Sequence, residues 1–278
     1  MLVVTLGDLL LDVVVRLEAP AAPDDDVPAA ISLVPGGQAA NVAAWACWLG
    51  ERARLVARRA DDVAGHVIAA EMERLGVELA GPLLTGERSG TVVALVAPDG
   101  TRTLASDRGA AGELGPDDVD EGMLAGAEVL HVAGYTLLRE AGADAALRLA
   151  GAARRYGARV TVDLSTAHGI AQLGRERMRT RVAALAPDVV FANEAEAAAF
   201  GEPVGRVWVV KRGALGCTVE QGGEVVAHPA IEVEGVVDTT GAGDAFAAGF
   251  LLESDLVAAA QRGQAAAARC VTRVGALP

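Results

Sequence analysis

Short apolar runs recur along the chain, and each run stops at a glycine or a polar residue. The first run covers residues 2–6 and is followed by Gly7 and Asp8, as expected for a buried strand that ends in a turn. Similar runs cover 129–132, 160–162, 189–191 and 207–210, and segments with helical spacing lie at 141–156 and 175–185. Strands that alternate with helices predict a parallel sheet with helices on both faces.

Two pairs of strands do not fit this alternation. One pair is predicted at 13–17 and 30–34, around a segment rich in proline and aspartate. The other pair, at 91–97 and 101–105, flanks Pro98-Asp99-Gly100, which is a hairpin signal. A helical pattern from 39 to 49 lies between the pairs and ends at Gly50. These strands are therefore expected outside the main sheet.

Composition narrows the class of protein. The 278 residues are enough for one large α/β domain or two small ones. No apolar run reaches the length of about 18 residues that a membrane span needs, so no membrane partner is expected. The apolar start contains Asp8 and Asp12 and has no basic leader, which favours a buried strand over a signal peptide. A net charge of −13 argues against binding to nucleic acid or to a membrane surface.

Three cysteines, Cys47, Cys217 and Cys270, are odd in number and have no metal-ligand spacing. They lie among apolar or small residues, so buried free thiols are expected. Together with the lack of a leader, they predict a cytoplasmic protein. The four histidines also lack metal spacing, and none is assigned a catalytic role.

The segment 238–250, DTTGAGDAFAAGF, is the most informative part of the chain. Its small residues Gly241, Ala242 and Gly243 precede an apolar helical pattern, so backbone N–H groups can converge at a helix N-terminus and bind phosphate. Asp244 is a carboxylate beside that turn. Such a placement suits a general base that takes a proton from a hydroxyl attacking a phosphoryl group. The alternative is a glycine-rich helix start with a capping aspartate.

This segment resembles the C-terminal signature of the ribokinase-like (PfkB) carbohydrate kinases. The resemblance implies an α/β fold, a three-layer sandwich with a mostly parallel sheet and a small β-sheet lid. It implies one domain over 1–278, with lid strands from about 13–34 and 91–105. It also implies transfer of the γ-phosphoryl group of ATP, with Mg²⁺, to a hydroxyl of a sugar or sugar-like molecule.

The sugar side of the site is expected near the N-terminus. Gly36-Gly37-Gln38-Ala39-Ala40-Asn41 is similar to the GGxxxN motif of that family, in which the glycines admit the sugar and Asn41 would bind a hydroxyl. Alternatively, Asn41 caps a helix. Asp12, with Gly7, matches the family's first sugar-contacting turn, although a solvent-facing loop acid is the alternative. Leu10 stands where ribokinases carry Asn, which argues against ribose itself.

A metal site is implied after the run 189–191. Asn193 and Glu196 are similar to the family's NxxE motif, which organises Mg²⁺ partly through water, and Mg²⁺ prefers oxygen ligands. The alternative is an asparagine N-cap with acidic residues in the first helical turn.

The ATP side is implied by position along the chain. Lys211 and Gly213 follow the run 207–210, where the family borders the nucleotide, and Thr239 belongs to the phosphate-binding segment. Gln264 stands where many members place an asparagine beside adenine. Only 17 residues separate Asn193 from Lys211, which predicts a shortened nucleotide side.

Two further segments stay open. Residues 60–65 resemble the family's GxDxxG element, with Ala60 in place of the first glycine, or form an acidic turn before a helix. Arg102 and Arg108, in and just after the hairpin, either contact an acidic or phosphorylated substrate or lie on the surface.

Other classes of protein have less support. The chain contains no GxxxxGK[ST] P-loop, no HRD and DFG pair and no GxGxxG after the first strand. A nucleoside kinase of the same fold and a catalytically silent binding protein remain alternatives, and a Rossmann-type oxidoreductase is a remote third. The partner is a small molecule. An exposed edge of the lid also makes a homodimer an expectation.

Overall fold

Nine strands form one large sheet through the centre of the molecule. The computed structural model describes residues 1–21 and 24–278, and within these ranges the chain forms fifteen strands and eight helices. The strands are β1 (Leu2–Leu6), β2 (Leu10–Leu17), β3 (Ala29–Gly36), β4 (Arg52–Val56), β5 (Arg59–Ala60), β6 (Val77–Ala80), β7 (Leu83–Leu84), β8 (Thr91–Val96), β9 (Arg102–Asp107), β10 (Val129–Ala133), β11 (Arg159–Asp163), β12 (Val189–Asn193), β13 (Val207–Lys211), β14 (Cys217–Gln221) and β15 (Glu224–His228).

Helices cover both faces of this sheet. They are α1 (Gln38–Trp48), α2 (Val63–Arg74), α3 (Glu140–Arg155), α4 (Ala167–Leu173), α5 (Arg175–Ala184), α6 (Glu194–Phe200), α7 (Ala242–Leu251) and α8 (Leu256–Cys270). One core lies between the sheet and α1, α2, α7 and α8, and a second lies between the sheet and α3 to α6. Because both faces are covered, the central strands are apolar without alternation, and β1 is buried along its whole length.

The large sheet has the strand order β15-β14-β13-β12-β11-β10-β1-β4-β6. All neighbours from β13 to β6 run parallel, and β14 and β15 add an antiparallel hairpin at one edge. The expected three-layer sandwich with a mostly parallel sheet is confirmed. The sequence patterns missed β4, β6, β14 and β15, because these outer strands mix charged and apolar residues and carry no continuous apolar run.

A second sheet of four strands, β3-β2-β8-β9, stands apart from the first. It joins the two chain regions that did not fit the βαβ alternation. Strand β2 pairs in parallel with β8, and the other two pairs are antiparallel. Strand β2 begins at Leu10, three residues earlier than predicted, because Leu10 and Leu11 pair with Gly36 and Pro35. Asp12 therefore lies within a strand, and its assignment to a turn is wrong.

The cysteines are free thiols, but they are not equally buried. Cys217 and Cys270 are buried, whereas Cys47 is half-buried. Cys47 lies in the last turn of α1, where its Sγ donates to the Gly76 carbonyl at 3.3 Å. The expectation of three buried thiols is therefore wrong for Cys47. None of the helices in the described part of the chain is long and apolar enough to cross a membrane.

Candidate active site

Polar side chains gather at the carboxyl ends of the central parallel strands. Asp163 ends β11, Asn193 ends β12 and Lys211 ends β13, with Asn193 and Lys211 in direct register. Asp8 follows β1. Open α/β sheets bind their ligands at this edge, because loops and helix N-termini converge there.

The turn at Gly241 forms the N-terminus of α7. Gly241 adopts a left-handed backbone, with φ of 78°, and a Cβ at this position would lie 2.5 Å from the Cα of Ala276. Only glycine therefore fits this turn without strain. The N–H of Ala242 donates to the Thr239 carbonyl at 3.3 Å and that of Asp244 to the Gly241 carbonyl at 3.0 Å. Within residues 1–21 and 24–278, the Gly241 and Gly243 N–H groups have no backbone partner and can bind an anion.

Asp244 lies in the first turn of α7 and links the turn at Gly241 to Asn41 on the predicted sugar side. Its Oδ2 accepts a hydrogen bond of 2.8 Å from Asn41 Nδ2. Burial raises the pKa of this half-buried carboxyl to about 7, and the Asn41 hydrogen bond and the charge of Lys211 offset only part of that rise. A carboxyl with a pKa near neutrality can take up a proton and release it again.

Asn41 is the fourth residue of α1 and does not cap it. Gly37 occupies the N-cap position with φ of 104°, and a Cβ on Gly37 would lie 2.3 Å from the Asp8 carbonyl oxygen. The Asn41 side chain is buried, and its Oδ1 has no hydrogen-bond partner among the described residues. Asn41 therefore holds Asp244 with its amide nitrogen and leaves its amide oxygen available.

Asp12 lies beside Gly36 across the β2–β3 pair. A Cβ on Gly36 would lie 2.2 Å from Asp12 Oδ2, so the carboxylate occupies the space that glycine leaves open. Burial raises the pKa of Asp12 to about 6. The four residues predicted for the sugar side, Asp12, Gly36, Gly37 and Asn41, thus lie where the small sheet joins α1.

A cleft of about 810 Å³ lies between the end of β13 and the start of α7. Lys211 and Gly213 lie at one end of its lining, which also includes apolar residues such as Ile231 and Phe246 and the acidic residues Glu232 and Glu234. All five residues predicted to contact ATP line this one cleft: Asn193, Lys211, Gly213, Thr239 and Gln264. Gln264 Nε2 is buried without a hydrogen-bond partner in the described structure, as expected for a donor that a ligand would satisfy.

Glu196 is buried, and Asn193 occupies both of its oxygens. The backbone N–H of Asn193 donates to Oε2 and its Nδ2 to Oε1, each at 2.8 Å. Asn193 Oδ1 in turn accepts from the Glu196 N–H, so the two residues form a capping box at the start of α6. Burial and the nearby Asp163 raise the pKa of Glu196. In the described ranges, no three His, Cys, Asp or Glu residues are placed to hold a metal.

Asp163 is a site residue that the sequence patterns missed. It is buried, and its Oδ2 accepts a hydrogen bond of 2.5 Å from Lys211 Nζ. Burial disfavours the ammonium, but the carboxylates of Asp163 and Glu196 outweigh that effect and raise the pKa of Lys211. A Cβ on Gly243 would lie 3.2 Å from Lys211 Nζ, so the ammonium lies against the turn predicted to bind phosphate. Its position could have revealed it, because Asp163 directly follows the apolar run 160–162, at the end of a predicted strand.

The two segments that the sequence left open, residues 60–65 and the arginines near the hairpin, have defined positions in the structure. Asp62 caps α2 through the Gly65 N–H at 2.7 Å and also binds Ser89, so residues 60–65 form the acidic turn before a helix. Arg102 lies exposed on β9. Arg108 pairs with Asp8 and stacks over the ring of Tyr135, with its guanidinium carbon 4.6 Å from the ring centroid.

A helix N-terminus with free N–H groups, a buried carboxyl group and a cleft of about 810 Å³ thus lie together at this edge of the sheet, and they are the parts that a phosphotransferase needs. The model of the pfkB family carbohydrate kinases matches residues 1–278. An ATP-dependent ribose-1-phosphate kinase from Halopiger xanaduensis is 32% identical over 99% of this chain and 93% of its own length. Fructokinase-1 from Zea mays is 27% identical over 100% and 94%.

The solved structures agree. Adenosine kinase from Sinorhizobium meliloti superposes with a TM-score of 0.86 and 28% identity, over 99% of this chain and 95% of that one. The chain belongs to the pfkB family of carbohydrate kinases and is a sugar or nucleoside kinase.

Proposed function

We propose that this kinase transfers the γ-phosphoryl group of ATP to a hydroxyl of a sugar or sugar-like molecule, with Asp244 as the general base. The hydrogen bond between Asn41 and Asp244 carries the proposal. It holds the carboxyl between the helix that follows the predicted sugar side and the turn that lines the predicted ATP cleft. A base in this position can reach a hydroxyl that faces the cleft.

Asp244 accepts the hydroxyl proton as the new P–O bond forms. Its pKa of about 7 leaves it substantially ionised at neutral pH and still basic enough to accept a proton. The amide nitrogen of Asn41 orients the Asp244 carboxyl, so the carboxyl is held in position before a ligand binds.

Backbone and charge stabilise the transferred group. The Gly241 and Gly243 N–H groups, with the positive end of the α7 dipole, face the position of the phosphoryl oxygens, and Ala242 completes the turn. Lys211 adds a full positive charge beside Gly243, and Asp163 fixes its position.

The cleft suits ATP. Its apolar walls accept a base, and the unpartnered Gln264 amide offers a polar contact there. Thr239 and Gly213 line the same cleft. Glu196 and Asn193 would hold Mg²⁺ through water, because their own atoms already bond to each other. When bound, Mg²⁺ neutralises phosphate charge.

The acceptor lies against Asp12, Gly36, Gly37 and Asn41. Asp12 accepts hydroxyl hydrogen bonds, and the two glycines admit the ring close to the backbone. The small sheet acts as a lid that excludes water when it closes. A nucleoside is the second candidate acceptor, supported by the similarity to an adenosine kinase structure.

The test is a coupled assay of ADP release with Mg-ATP and a panel of acceptors: ribose, ribose 1-phosphate, fructose and adenosine. Release should depend on one class of acceptor. Asp244→Asn should lower it by about 10²–10⁴-fold, the range for a positioned base. Asp255→Asn is the matched control, since Asp255 caps α8 outside the cleft. Near-normal turnover of Asp244→Asn would contradict the role of Asp244. Absence of release with every acceptor would contradict the kinase activity itself and favour a binding protein.

We further propose that the protein forms a homodimer through the small sheet. Ile31 and Leu33 alternate on β3, and Leu95 of β8 shares the register partner Val15 with Ile31. All three side chains are exposed on one face of the sheet, where a second copy would bury them. Sedimentation should give a dimer for the wild type and a monomer for Leu33→Lys. A monomeric wild type would rule out the dimer.

A further inference from the structure

A second, smaller pocket of about 180 Å³ lies beside the predicted sugar side and shares no lining residue with the ATP cleft. Asp8 belongs to both places. It lines the pocket, and its carbonyl packs against Gly37 of the predicted sugar side, at the start of α1. Gly37 stands one helical turn before Asn41, which holds the catalytic carboxyl. The pocket is therefore within reach of a molecule whose reacting hydroxyl faces Asp244.

Two arginines line this pocket, in a protein whose net charge is −13. Burial and the neighbouring charge of Arg139 lower the pKa of Arg108, so two positive charges lie close together. The Tyr135 ring fixes the plane of the Arg108 guanidinium. Arg139 lies over Gly112, where a Cβ would come within 3.4 Å of its Nη2. Guanidinium pairs in a fixed position bind phosphate and carboxylate groups well.

The two arginines also have anionic neighbours in the protein. Arg108 pairs with Asp8, and Arg139 donates to Glu113 at 2.8 Å. The second pair is more than half exposed on both sides, so it contributes little and can exchange with a ligand. Asp8 is nearly buried and stays with Arg108, which leaves the charge of Arg139 for the pocket.

Thr136 gives an independent sign of a ligand. The residue is 6% exposed and lines the pocket, and its Oγ1 has no hydrogen-bond partner among the described residues. Buried hydroxyl groups are almost always hydrogen-bonded, so an unsatisfied one in a pocket with two cations indicates a missing acceptor. An anionic oxygen is an acceptor.

We propose that this pocket binds an anionic substituent of the acceptor, a phosphate or a carboxylate, through Arg139 and Thr136, while Arg108 stays paired with Asp8 at the wall of the pocket. The acceptor is then a sugar phosphate or a sugar acid, with its hydroxyls on Asp12 and Asp8 and its charged group in the pocket. This inference rests on the proposed kinase function and specifies its substrate class.

Matched acceptor pairs test it: ribose 1-phosphate against ribose, fructose 6-phosphate against fructose, and gluconate against glucose. The wild type should prefer the charged member of at least one pair by about 10²-fold in kcat/KM. Preference for a phosphate or for gluconate identifies the anion. Arg139→Gln and Thr136→Val should each raise KM for that acceptor about 10-fold or more. Arg155→Gln is the control, because it removes a similarly exposed ion pair from the other end of α3.

Preference for the neutral member of every pair would overturn the proposal while leaving the kinase function intact, as would equal effects of Arg139→Gln and Arg155→Gln. If no acceptor is turned over, calorimetric titration with ribose 1-phosphate and with gluconate, without ATP, decides the point. Binding of either anion that is lost in Arg139→Gln and kept in Arg155→Gln supports the pocket. No binding, or equal binding by both variants, overturns it.

Discussion

At the residue scale, two carboxyl groups of the site hold protons more tightly than carboxyl groups in water. Burial raises the pKa of Asp244 to about 7 and that of Asp12 to about 6. The folded state therefore favours the neutral acid more than the unfolded chain does. The stabilisation from each group is complete below its unfolded pKa of 3.8 and is lost as the pH rises through its folded pKa.

The Asp244→Asn variant should therefore be more stable than the wild type at neutral and alkaline pH. The amide keeps the shape of the side chain and can still accept from Asn41, but it has no charge to bury. Its advantage in the free energy of unfolding should grow from pH 5 to pH 7 and level off at about 1–2 kcal/mol. A conversion at about 1.36 kcal/mol per pKa unit would give a larger advantage, but the carboxyl is only half-buried and solvent screens part of its charge.

Urea denaturation at pH 5, 6, 7 and 8 would measure this difference. Asp255→Asn, at an exposed helix cap, should show no such trend. A stability difference between Asp244→Asn and the wild type that does not change with pH would contradict the assigned charge state.

The residues of the site differ in how far the sequence reveals them. Gly241, Asp244 and Asn41 stand in motifs where residue type and spacing point to phosphate and hydroxyl chemistry. Asp163 and Thr136 stand alone in the sequence, and the sequence left Arg108 open between a substrate contact and a surface position. The partners of Asp163 and Arg108 lie 48 and 100 positions away. Their roles depend on strand order and on cavities, which no local pattern encodes.

At the scale of elements, the start of α7 depends on the segment that packs beneath it. Trp45 Nε1 donates to the Ala276 carbonyl at 2.8 Å, and Gly275 N–H donates to Asp238 at 3.1 Å. Ala276 is thus tied to α1, and its neighbour Gly275 is tied to Asp238, just before the turn at Gly241. It cannot easily move away from Gly241.

Gly241→Ala should therefore lower the free energy of unfolding by about 2–4 kcal/mol and abolish ADP release, because strain and a backbone clash combine. Gly235→Ala is the control. Gly235 has a similar φ of 70° but open space at its Cβ position, so only the backbone strain of about 1–2 kcal/mol remains. Urea unfolding and the ADP assay on both variants measure the effects. Equal losses would show that the contact with Ala276 is unimportant.

The central strands of the large sheet were predictable, and its outer strands were not. Strand β1 was located at its exact bounds because all five residues are buried and four of them are apolar, so that it forms a continuous apolar run interrupted only by Thr5. Strand β15 carries Val225 and Val226 on an exposed edge, and strand β4 alternates arginine with apolar residues. Their pairing comes from the neighbouring strands rather than from their own composition.

At the scale of the whole molecule, the cleft proposed for ATP lies between the sheet and the helix pair α7–α8, so a ligand bound there would bridge separate parts of the chain. Mg-ATP at about 100 times its Kd should stabilise the fold by about 2.7 kcal/mol. That corresponds to a rise in Tm of about 5–10 °C for a domain of this size. Calorimetry with Mg-ATP and with NADH as the control measures it. A larger rise with NADH would favour an oxidoreductase.

The Asn41–Asp244 hydrogen bond joins residues 203 positions apart. Each half of the chain can form local helices early, but this pair meets only when the ends of the central sheet have been brought together. Contacts of such long range form slowly, because they wait for loop closure. Enzyme turnover regained after dilution from denaturant should therefore lag behind the helical circular-dichroism signal, and the return of activity would report when Asn41 and Asp244 meet in the last step of folding.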